Sequence, residues 1–449
     1  MRRRLAVIVA VALVAGCGSA TPSTSPAAPV TITLLEYQAV RAKVIDSLLP
    51  SFEAETAAHG HPIKVDLELV SGTDQEFAAR LGQLYAAGQG PDVTSYPTAT
   101  VAAFAEQGDL LDLASRVAAW PDWTAHFYPI LRERAVSPGG HIYGVPRGAT
   151  VIQLFYRKDI LEADAVSTAQ PGSWADLLDR MRTLRDRMHR PPLLIPGGTS
   201  WGTGGSDEGF INLTLGTASS LYDTTTGRWV VRSPGLTDVF RLYERLLKDG
   251  LLPVDALLGP DPWEPTKYQT FPDGDLAVTT QGTWGWTYDW GPTGQRPIAG
   301  LTQRVATWAF PAEDGGDPFV WAAESWRWTI SATSKHPDEA WTFIKWMSQG
   351  APLAADLVTV GNLSPRNDIA GIPPYRDQPE LTGEEKLIEV GRSLAPYDGI
   401  DHIRMAAAAA TQEILAGRMT GDQAADEFAR LATASLGAAH VEPTPSPSP

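Results

Sequence analysis

The chain has 449 residues, which exceeds the size at which one hydrophobic core normally keeps growing, so the length favours two or more domains. Its formal net charge of −16 opposes binding to a phosphate backbone, which requires basic patches, and no nucleic-acid partner is expected. The single cysteine excludes an internal disulfide and a multi-cysteine metal site, and we expect neither a metal nor a cofactor.

The amino end, MRRRLAVIVAVALVAGC, places three arginines before an apolar run and ends in small residues at Cys17. This resembles a bacterial lipoprotein signal, in which Val14, Ala15 and Gly16 form the lipobox. The resemblance implies removal of a signal peptide of residues 1–16 and lipidation of Cys17, including acyl groups such as palmitate. It therefore predicts a lipid anchor at the extracytoplasmic face of a cell membrane. The alternative is an ordinary signal peptide with a chance cysteine.

Both ends of the mature chain are rich in serine, threonine and proline. Residues 17–29 contain GSATPSTSPAAP and predict a flexible tether, and residues 438–449, which end in EPTPSPSP, predict a disordered tail. No apolar run after the leader is long enough to cross a bilayer. The folded part is therefore predicted between Val30 and Gly437.

The first part of the folded chain alternates strand and helix. VTITLLEY and IKVDLELV favour strands, and the segment between them carries Val44, Leu48 and Phe52 at helical spacing. DQEFAARLGQLYAAGQG favours a second helix and PDVTSY a third strand. This order is typical of a parallel sheet with crossover helices.

The alternation resumes after residue 145. VIQLFYR favours a strand, and SWADLLDRMRTLRDR a helix that begins with a capping box of Ser173 and Asp176. LTDVFRLYERLLKDG favours a helix that ends at Gly250, and HPDEAWTFIKWMSQG another with Pro337 in its first turn. A second α/β domain follows from this pattern.

The tryptophans have an unusual distribution. There are 15 of them against 12 tyrosines, and QGTWGWTYDWG surrounds three with glycine, threonine and aspartate instead of aliphatic residues. Trp201 and Trp263 are predicted in loops, and Trp326 shares one side of a strand with Glu324. Loop tryptophans with polar neighbours suit a sugar, whose C–H face stacks on a ring while its hydroxyls bind polar groups. Core packing is the alternative, and it is the better interpretation of Trp341 on its helix.

One motif indicates an enzyme instead. GTSWG matches the G-x-S-x-G turn of α/β hydrolases, in which Ser200 would be the nucleophile, and Asp398 and His402 could complete a triad. The turn requires a helix directly after the serine. The glycines of WGTGGSDEG make such a helix improbable, so the hydrolase is the rival hypothesis.

Several segments in order resemble the family 1 extracellular solute-binding proteins of ABC importers, the carbohydrate-type group that contains maltose-binding protein. They include GPDVTSYPTATVAAFAEQGDLLDL, HIYGVPRGATVIQLFYRKDIL, SWADLLDRMRTL, FPDGDLAVTTQGTWGW, WTISATSKHPDEAWTFIKWM, GNLSPRNDI and ILAGRMTGDQAADEF. The resemblance covers nearly all of the mature chain. Arg157 departs from it, because the family has an asparagine there.

The resemblance implies an α/β, periplasmic-binding-protein-like fold in which two lobes enclose a hinged ligand cleft. The first lobe would contain residues 30–146 plus 311–348, and the second residues 147–310 plus 349–437. The chain would cross between the lobes near Tyr143–Gly148, Trp308–Ala312 and Ser348–Leu353.

The implied function is capture of a sugar or oligosaccharide and its delivery to the permease subunits of an ABC importer, by a monomer without enzymatic activity. A polyol or a glycerol-phosphodiester is the alternative ligand class. In the sugar-binding members the tryptophan of glycine-x-tryptophan stacks on the ligand, and Trp284 occupies that position, with Trp286 or Trp290 as a second face. Loop positions and strand ends add Gln38, Asp74, Tyr96, Trp201, Trp263, Glu324 and Trp326. Glu324 is expected to place a negative charge near the cleft.

Overall fold

The computed structural model describes residues 28–72, 74–394 and 397–442. Cys17 and the predicted signal peptide lie outside the described residues, as do residues 443–449 of the predicted tail. Within the described ranges no helix combines the length and the apolar content that a membrane crossing requires.

The described residues form twelve strands and twenty α-helices. The strands are β1 Val30–Glu36, β2 Ile63–Leu69, β3 Val93–Tyr96, β4 Val145–Pro146, β5 Ala149–Arg157, β6 Leu193–Leu194, β7 Tyr222–Asp223, β8 Arg228–Trp229, β9 Val278–Gly282, β10 Val305–Trp308, β11 Trp321–Glu324 and β12 Arg327–Ile330. The helices are α1 Ala39–Ala58, α2 Asp74–Ala86, α3 Thr98–Glu106, α4 Ala114–Ala118, α5 Pro121–His126, α6 Pro129–Ala135, α7 Lys158–Ala163, α8 Trp174–Met188, α9 Thr203–Ser206, α10 Asn212–Leu215, α11 Pro234–Lys248, α12 Val254–Leu257, α13 Trp263–Pro265, α14 Phe271–Asp273, α15 Leu301–Arg304, α16 Pro337–Met347, α17 Gly350–Val360, α18 Pro379–Glu384, α19 Ile400–Leu415 and α20 Gly421–Leu436.

The first sheet has the order β2-β1-β3-β12-β4. β1 pairs in parallel with β2 and β3, and α1 and α2 make the connections, as the alternating pattern predicts. β12 returns from far along the chain and pairs antiparallel with β3 and β4. The sheet is covered on its two faces by separate apolar clusters, one around Phe52 and Trp328 and one around Phe77 and Tyr96.

The second sheet is built around β5, all nine residues of which are buried. Its order is β10-β5-β9-β6, and β11 also pairs with β5. A strand buried on both faces carries a nearly continuous apolar run, which explains why VIQLFY lacks alternation. The largest apolar cluster packs around this sheet with α8, α11, α19 and α20.

The helices of this second part begin and end largely where their sequence indicates. The hydroxyl of Ser173 caps α8 by accepting a hydrogen bond from the backbone N–H of Asp176, at 3.2 Å. The carboxylate of Asp176 instead accepts from the backbone of Gly172 and from Arg180, so the reciprocal half of the predicted capping box does not form. Gly250 follows α11 with a φ of +63°, the left-handed conformation that favours glycine.

The two sheets are joined by two chain segments that run side by side. The segment between β4 and β5 contains Arg147 and Gly148, and the segment between β11 and β12 contains Ser325 and Trp326. The N–H of Arg147 donates to the carbonyl of Trp326 at 2.8 Å, and the N–H of Ser325 donates to the carbonyl of Gly148 at 2.9 Å. This paired link connects the first sheet to the second, and its first segment lies within the crossing predicted at Tyr143–Gly148.

The position of the return segment differs from the predicted crossing near Trp308–Ala312. β10 and β11 both pair antiparallel with β5 and lie end to end along the same edge of it. The residues between them leave this edge and return to it as a hairpin, in which Phe310 pairs with Phe319. Residues 321–324, which the prediction gave to the first lobe, therefore belong to the second sheet. The other lobe boundaries stay predictions.

The carboxyl end also differs from its prediction, which began a disordered tail at residue 438. Residues 438–440 form a 3₁₀ turn, and Val441 is 5% exposed. The backbone N–H of Glu442 donates to the carbonyl of Trp229 at 2.8 Å. Ordered structure thus continues to Glu442, since Val441 covers a buried tryptophan that the polar composition of the tail does not reveal.

Candidate functional site

The aromatic segment 281–290 begins at the end of β9 and turns through a 3₁₀ helix, Thr283–Trp286. Trp284 is partly exposed, whereas Trp290 is fully buried and packs on Phe271 with ring centroids 4.4 Å apart. Trp290 is therefore a core residue and offers no face to a ligand. The 3₁₀ helix explains why Trp284 is partly exposed and Trp290 is buried, because it directs their rings to different sides of the chain.

The glycine before Trp284 has a specific role. A Cβ added at Gly282 would lie 1.9 Å from the nearest atom of the Trp284 ring. Only glycine lets the indole lie against the backbone at this point. Gly282 therefore provides the space in which the Trp284 ring lies, which explains the glycine at this position.

Three of the predicted tryptophans come together although they are far apart in sequence. The rings of Trp201 and Trp263 meet edge to face, with centroids 6.4 Å apart. The ammonium of Lys267 lies 5.4 Å from the ring centroid of Trp201 and 5.4 Å from that of Trp284. We call Trp201, Trp263, Trp284 and Lys267 the aromatic cluster. Trp263 is 38% exposed and Trp201 8%, so the cluster reaches the surface through Trp263 and Trp284.

Charged and polar groups lie beneath the aromatic cluster. Lys267 donates to Gln281 Oε1 at 3.0 Å, and its ammonium lies 3.7 Å from Glu208 Oε2. Asp289 accepts hydrogen bonds from Gln281 at 2.6 Å and from Tyr268 at 2.9 Å. Burial raises the pKa of Glu208 and of Asp289, since it penalises their ionised forms.

Glu208 retains capacity for a ligand. Its Oε2 is buried and has no hydrogen-bond partner among the described residues. A buried acceptor without a partner carries a desolvation cost that a donor from a ligand would remove. Glu208 lies in a π-helical turn, Asp207–Ile211, and Lys267 in another, Thr266–Thr270. Single π-turns of this kind occur often at functional sites.

Trp286 lies on a different side of the aromatic segment. Its indole N–H donates to Glu384 Oε1 at 3.0 Å, and its ring packs on Phe155. Burial raises the pKa of Glu384 to about 7. The predicted second stacking face is thus directed toward α18 and is not brought into the aromatic cluster.

The predicted residues of the first sheet form a second group. Trp326 stacks on Tyr37 with ring centroids 5.2 Å apart, and the guanidinium of Arg41 lies 5.3 Å from the Trp326 ring. Gln38 directly follows Tyr37 at the start of α1, and its Oε1 is buried without a partner among the described residues. Gln38 and Trp326 are therefore near one another, and Gln38 has a free acceptor.

Two further predicted residues do not add to this group. Tyr96 is 1% exposed, and its hydroxyl lies 3.4 Å from that of Tyr85 inside the core, so it presents almost no surface to a ligand. It ends β3, but the neighbouring helices cover it. Asp74 begins α2, and its side chain lies outside the part of the chain that is described.

Glu324 is buried and fully compensated. Its carboxylate accepts from Arg134 at 2.8 Å and from Thr98 at 3.1 Å, and it also pairs with Arg327. Burial alone would raise the pKa of Glu324, but Arg134 and Arg327 outweigh it and lower that pKa to about 2. Glu324 is therefore ionised, but its negative charge is buried and paired with two arginines, so it offers no unpaired charge to a ligand.

Sequence reasoning missed a buried ionic cluster at the link between the sheets. Arg147 has a fully buried side chain, donates to Glu36 Oε2 at 2.7 Å and makes two hydrogen bonds to Asp356 at 2.7 and 2.8 Å. Its guanidinium lies 4.0 Å from the ring centroid of Trp328. Arg41 on α1 pairs with the same Asp356 at 3.2 Å. The only sequence signal was an arginine within an apolar segment, YGVPRGATVI.

This ionic cluster also holds the loop that carries Gln38. Glu36 Oε1 accepts hydrogen bonds from the backbone N–H groups of Tyr37 and Gln38, at 2.9 and 3.0 Å. The chain of contacts therefore runs from Arg147 in the link, through Glu36, to the start of α1.

The rival serine site gains no support from geometry. Ser200 and Trp201 lie in a turn, and the short helix α9 begins only at Thr203, so no helix follows the serine directly, as its glycine-rich surroundings predict. Among the described residues, no hydrogen bond joins Ser200 to Asp398 or His402, and a nucleophile requires its base within hydrogen-bond reach. The same ranges contain no group of three or more His, Cys, Asp or Glu side chains able to hold a metal ion.

Comparisons with known proteins agree with this architecture. The maltotriose-binding protein of Pyrococcus abyssi is 21% identical over 330 residues, which cover 72% of this chain and 65% of that protein. The GacH receptor of Streptomyces glaucescens superposes with a TM-score of 0.73 at 19% identity, over 92% of this chain and 100% of that one. The cyclic α-maltosyl-1,6-maltose binding protein of Arthrobacter globiformis gives 0.73 at 17% identity, over 91% and 99%.

These likenesses confirm the α/β, periplasmic-binding-protein-like fold that the sequence predicts. The model of a family described as bacterial extracellular solute-binding protein matches residues 51–383, which is well over half of the chain. The chain therefore belongs to the bacterial extracellular solute-binding proteins.

Proposed function

We propose that this protein captures a sugar or oligosaccharide outside the cell and delivers it to the permease subunits of an ABC importer, without enzymatic activity of its own. The observation that carries the proposal is the aromatic cluster, in which Trp201, Trp263 and Trp284 meet around Lys267. Exposed indole edges and faces beside polar side chains suit the alternating C–H faces and hydroxyls of a sugar.

Polar groups near the tryptophans supply the acceptors that a sugar requires. Glu208 Oε2 beneath the aromatic cluster and Gln38 Oε1 beside Trp326 are both buried and accept no hydrogen bond from the described residues, although Glu208 Oε2 lies 3.7 Å from the ammonium of Lys267. Each would accept a hydrogen bond from a ligand hydroxyl. Gln38 is the N-cap residue of α1 beside the first sheet, and Glu208 lies in a π-helical turn beside the second, so a ligand that satisfies both would hold the two parts together.

The relatives suggest which ligands to test first. The names of the similar proteins mention maltotriose, acarbose and a cyclic maltosyl-maltose, all of them glucose-based or glucose-like oligosaccharides. Maltose, maltotriose and acarbose are therefore the first probes. A polyol and a glycerol-phosphodiester represent the alternative ligand class.

The place of action follows from the amino end. We propose that Cys17 carries the lipid anchor, because three arginines, an apolar run and a lipobox-like Val-Ala-Gly precede it. Two or three acyl chains hold a protein to a membrane without a spanning helix, at roughly 0.8 kcal/mol per buried methylene. Labelling cells with a fatty-acid probe should tag the wild type and not Cys17→Ala; equal labelling of both would contradict the anchor.

The central experiment compares two tryptophan variants. Trp284→Ala should abolish or strongly weaken binding of whichever probe raises the melting temperature of the wild type, while the apo protein melts almost unchanged. Truncation of a binding hot spot costs about 2 kcal/mol or more, which is about thirtyfold in Kd. Trp346→Ala is the control, because that partly exposed ring packs on the apolar cluster of the first sheet, away from the aromatic cluster, and donates to Glu55.

The rival functions give different results. If no probe stabilises the wild type, or if Trp284→Ala binds normally and melts far lower, the aromatic cluster is structural and the sugar proposal is wrong. A serine-hydrolase probe that labels the wild type stoichiometrically, but does not label Ser200→Ala, would instead establish that the protein is a serine hydrolase. Small-angle scattering completes the test, since a ligand that bridges both sheets should reduce the radius of gyration.

A further inference from the structure

Lys267 occupies an unusual position for a lysine. It is only 7% exposed, although its ammonium is the group that water solvates most strongly. Lysines are rarely buried unless the charge has partners. Here the partners are two indole rings, one amide oxygen and a carboxylate at 3.7 Å.

Those contacts join two separate loops. Trp201 belongs to the loop that precedes α9, and Trp284 to the turn after β9, more than eighty residues later. The ammonium lies 5.4 Å from both ring centroids, within the distance of about 6 Å at which a cation attracts an aromatic face. One charge thus contacts both rings.

Lys267 also contacts the aromatic segment at its two ends. Its ammonium donates to Gln281 Oε1 at 3.0 Å, and its backbone carbonyl accepts from the indole N–H of Trp290 at 2.7 Å. Gln281 Oε1 in turn accepts the backbone N–H of Gly282 at 3.1 Å. The segment between Gln281 and Trp290, with Trp284 inside it, is therefore fastened to a single residue.

We propose that Lys267 is a positioning residue of the sugar site, whose ammonium holds the rings of Trp201 and Trp284 in one fixed arrangement. The proposal rests on the proposed function for the identity of the ligand, but the position of the rings does not depend on it. Lys267 contacts no ligand in this scheme; it acts through the two rings.

The structural alternative is that Lys267 only neutralises buried acids. Glu208 and Asp289 are both nearly inaccessible, and removal of the one nearby ammonium leaves them uncompensated. If Lys267 only neutralised these acids, its replacement would no longer affect binding once one of the carboxylates was replaced by an amide as well. The two roles therefore differ in the behaviour of a double variant.

The first test uses the protein without ligand. Subtracting the near-UV circular dichroism spectrum of Trp284→Phe from that of the wild type isolates the signal of Trp284. The same difference is measured in the Lys267→Met background, which keeps an unbranched side chain one atom shorter and removes its charge. We expect the Trp284 signal to collapse or change shape in that background and to persist in Lys248→Met, whose ammonium pairs with Glu244 on the surface of α11.

The second test measures affinity for maltotriose, or for maltose or acarbose if one of these stabilises the wild type more. Lys267→Met should weaken binding by about tenfold or more, the effect expected for loss of two cation–π contacts. Because Glu208 is itself a proposed ligand contact, Glu208→Gln alone is the reference, and Lys267→Met with Glu208→Gln should bind more weakly than that reference although its charge is rebalanced. Lys267→Arg, which keeps a cation able to stack on indole, should recover part of the affinity.

The outcomes separate the two proposals. If no sugar binds the wild type, the proposed function fails, while the dichroism still decides whether Lys267 positions Trp284. If the dichroism difference is unchanged by Lys267→Met, or if the double variant with Glu208→Gln binds as tightly as Glu208→Gln alone, Lys267 does not position the rings.

Discussion

Arg147 and Asp356 form a two-bond ion pair in which neither side chain is more than 1% exposed, with N–O distances of 2.7 and 2.8 Å. Arg147 lies in the link between the two sheets, and Asp356 on α17. Planar guanidinium and carboxylate groups match in this geometry, which fixes direction as well as distance. The pair therefore sets how the link leaves the first sheet.

We predict that Arg147→Met destabilises the protein by about 3 to 5 kcal/mol, because it leaves Asp356 and Glu36 buried with too little positive charge. Urea unfolding with the wild type measured in parallel gives the free energy of unfolding. Arg116→Met is the matched control: its pair with Asp338 has an 82% exposed carboxylate, and such surface pairs contribute about 0 to 1 kcal/mol. Equal losses in both variants would refute the role of the buried cluster.

Glu384 makes stability depend on pH. Burial raises its pKa to about 7 in the folded protein, from an ordinary value near 4.5. Between about pH 4.5 and 7, Glu384 is therefore protonated in the folded protein and ionised in the unfolded chain. The associated stability is present in full below about pH 4.5 and is lost as the pH rises through about 7.

We predict that Glu384→Gln stabilises the protein at pH 8 relative to the wild type, by up to roughly 3 kcal/mol, and has little effect near pH 5. Glutamine keeps an oxygen able to accept from Trp286 and Thr307 but carries no charge. Urea unfolding at pH 5, 6, 7 and 8 measures the difference. Glu106→Gln, at an exposed glutamate that is not among the groups that shift the pKa of Glu384, is the control, and a Glu384→Gln effect that does not grow with pH would refute the buried ionisation.

The sequence predicted the fold well because local periodicity and global packing agree. β1, α1, β2 and α2 form where their apolar patterns predict them, although Ile45 and Leu49 rather than Val44 and Leu48 are the buried residues of α1, and Trp341 is buried on α16 as its spacing indicates. The return to the first sheet was misplaced because the hairpin between β10 and β11 depends on long-range pairing with β5. Pairing of that kind leaves no periodic signal in a short segment.

The site could be predicted only in part. Trp201, Trp263 and Trp284 share loop positions and polar neighbours, and these three were brought together. Tyr96 and Glu324 have the same kind of sequence context but are covered by elements distant in the chain. Burial by distant elements is the property that a linear pattern does not encode, and it also hid Lys267 and Arg147.

The ordered carboxyl end gives a third prediction. Deletion of residues 438–449 removes Val441 from the surface of Trp229, which is 2% exposed, and also the backbone hydrogen bond from Glu442. We expect a loss of about 1 to 3 kcal/mol in the free energy of unfolding, comparable to exposing one apolar side chain. Deletion of residues 443–449 is the control and should leave stability unchanged. If the two deletions behave alike, the contact with Trp229 contributes nothing.

The last prediction concerns Gly282, whose φ of −90° and ψ of 170° are open to any residue. Alanine at this position therefore causes no backbone strain, and its effect arises from the side chain alone. Its Cβ would lie 1.9 Å from the ring of Trp284, so the indole must leave its present place. Gly282→Ala should consequently displace the ring while most of β9 keeps its pairing with β5.

We expect Gly282→Ala to weaken sugar binding by about tenfold or more and to lower the apo stability by only about 1 kcal/mol, since Trp284 is partly exposed already. Gly204→Ala is the matched control, because it lies near Trp201 and a Cβ there meets no atom within 4 Å. Isothermal titration and thermal melting of both variants provide the comparison. Normal affinity in Gly282→Ala would mean that the position of the Trp284 ring does not determine binding, and the ligand would then have to be sought around Trp326 and Gln38.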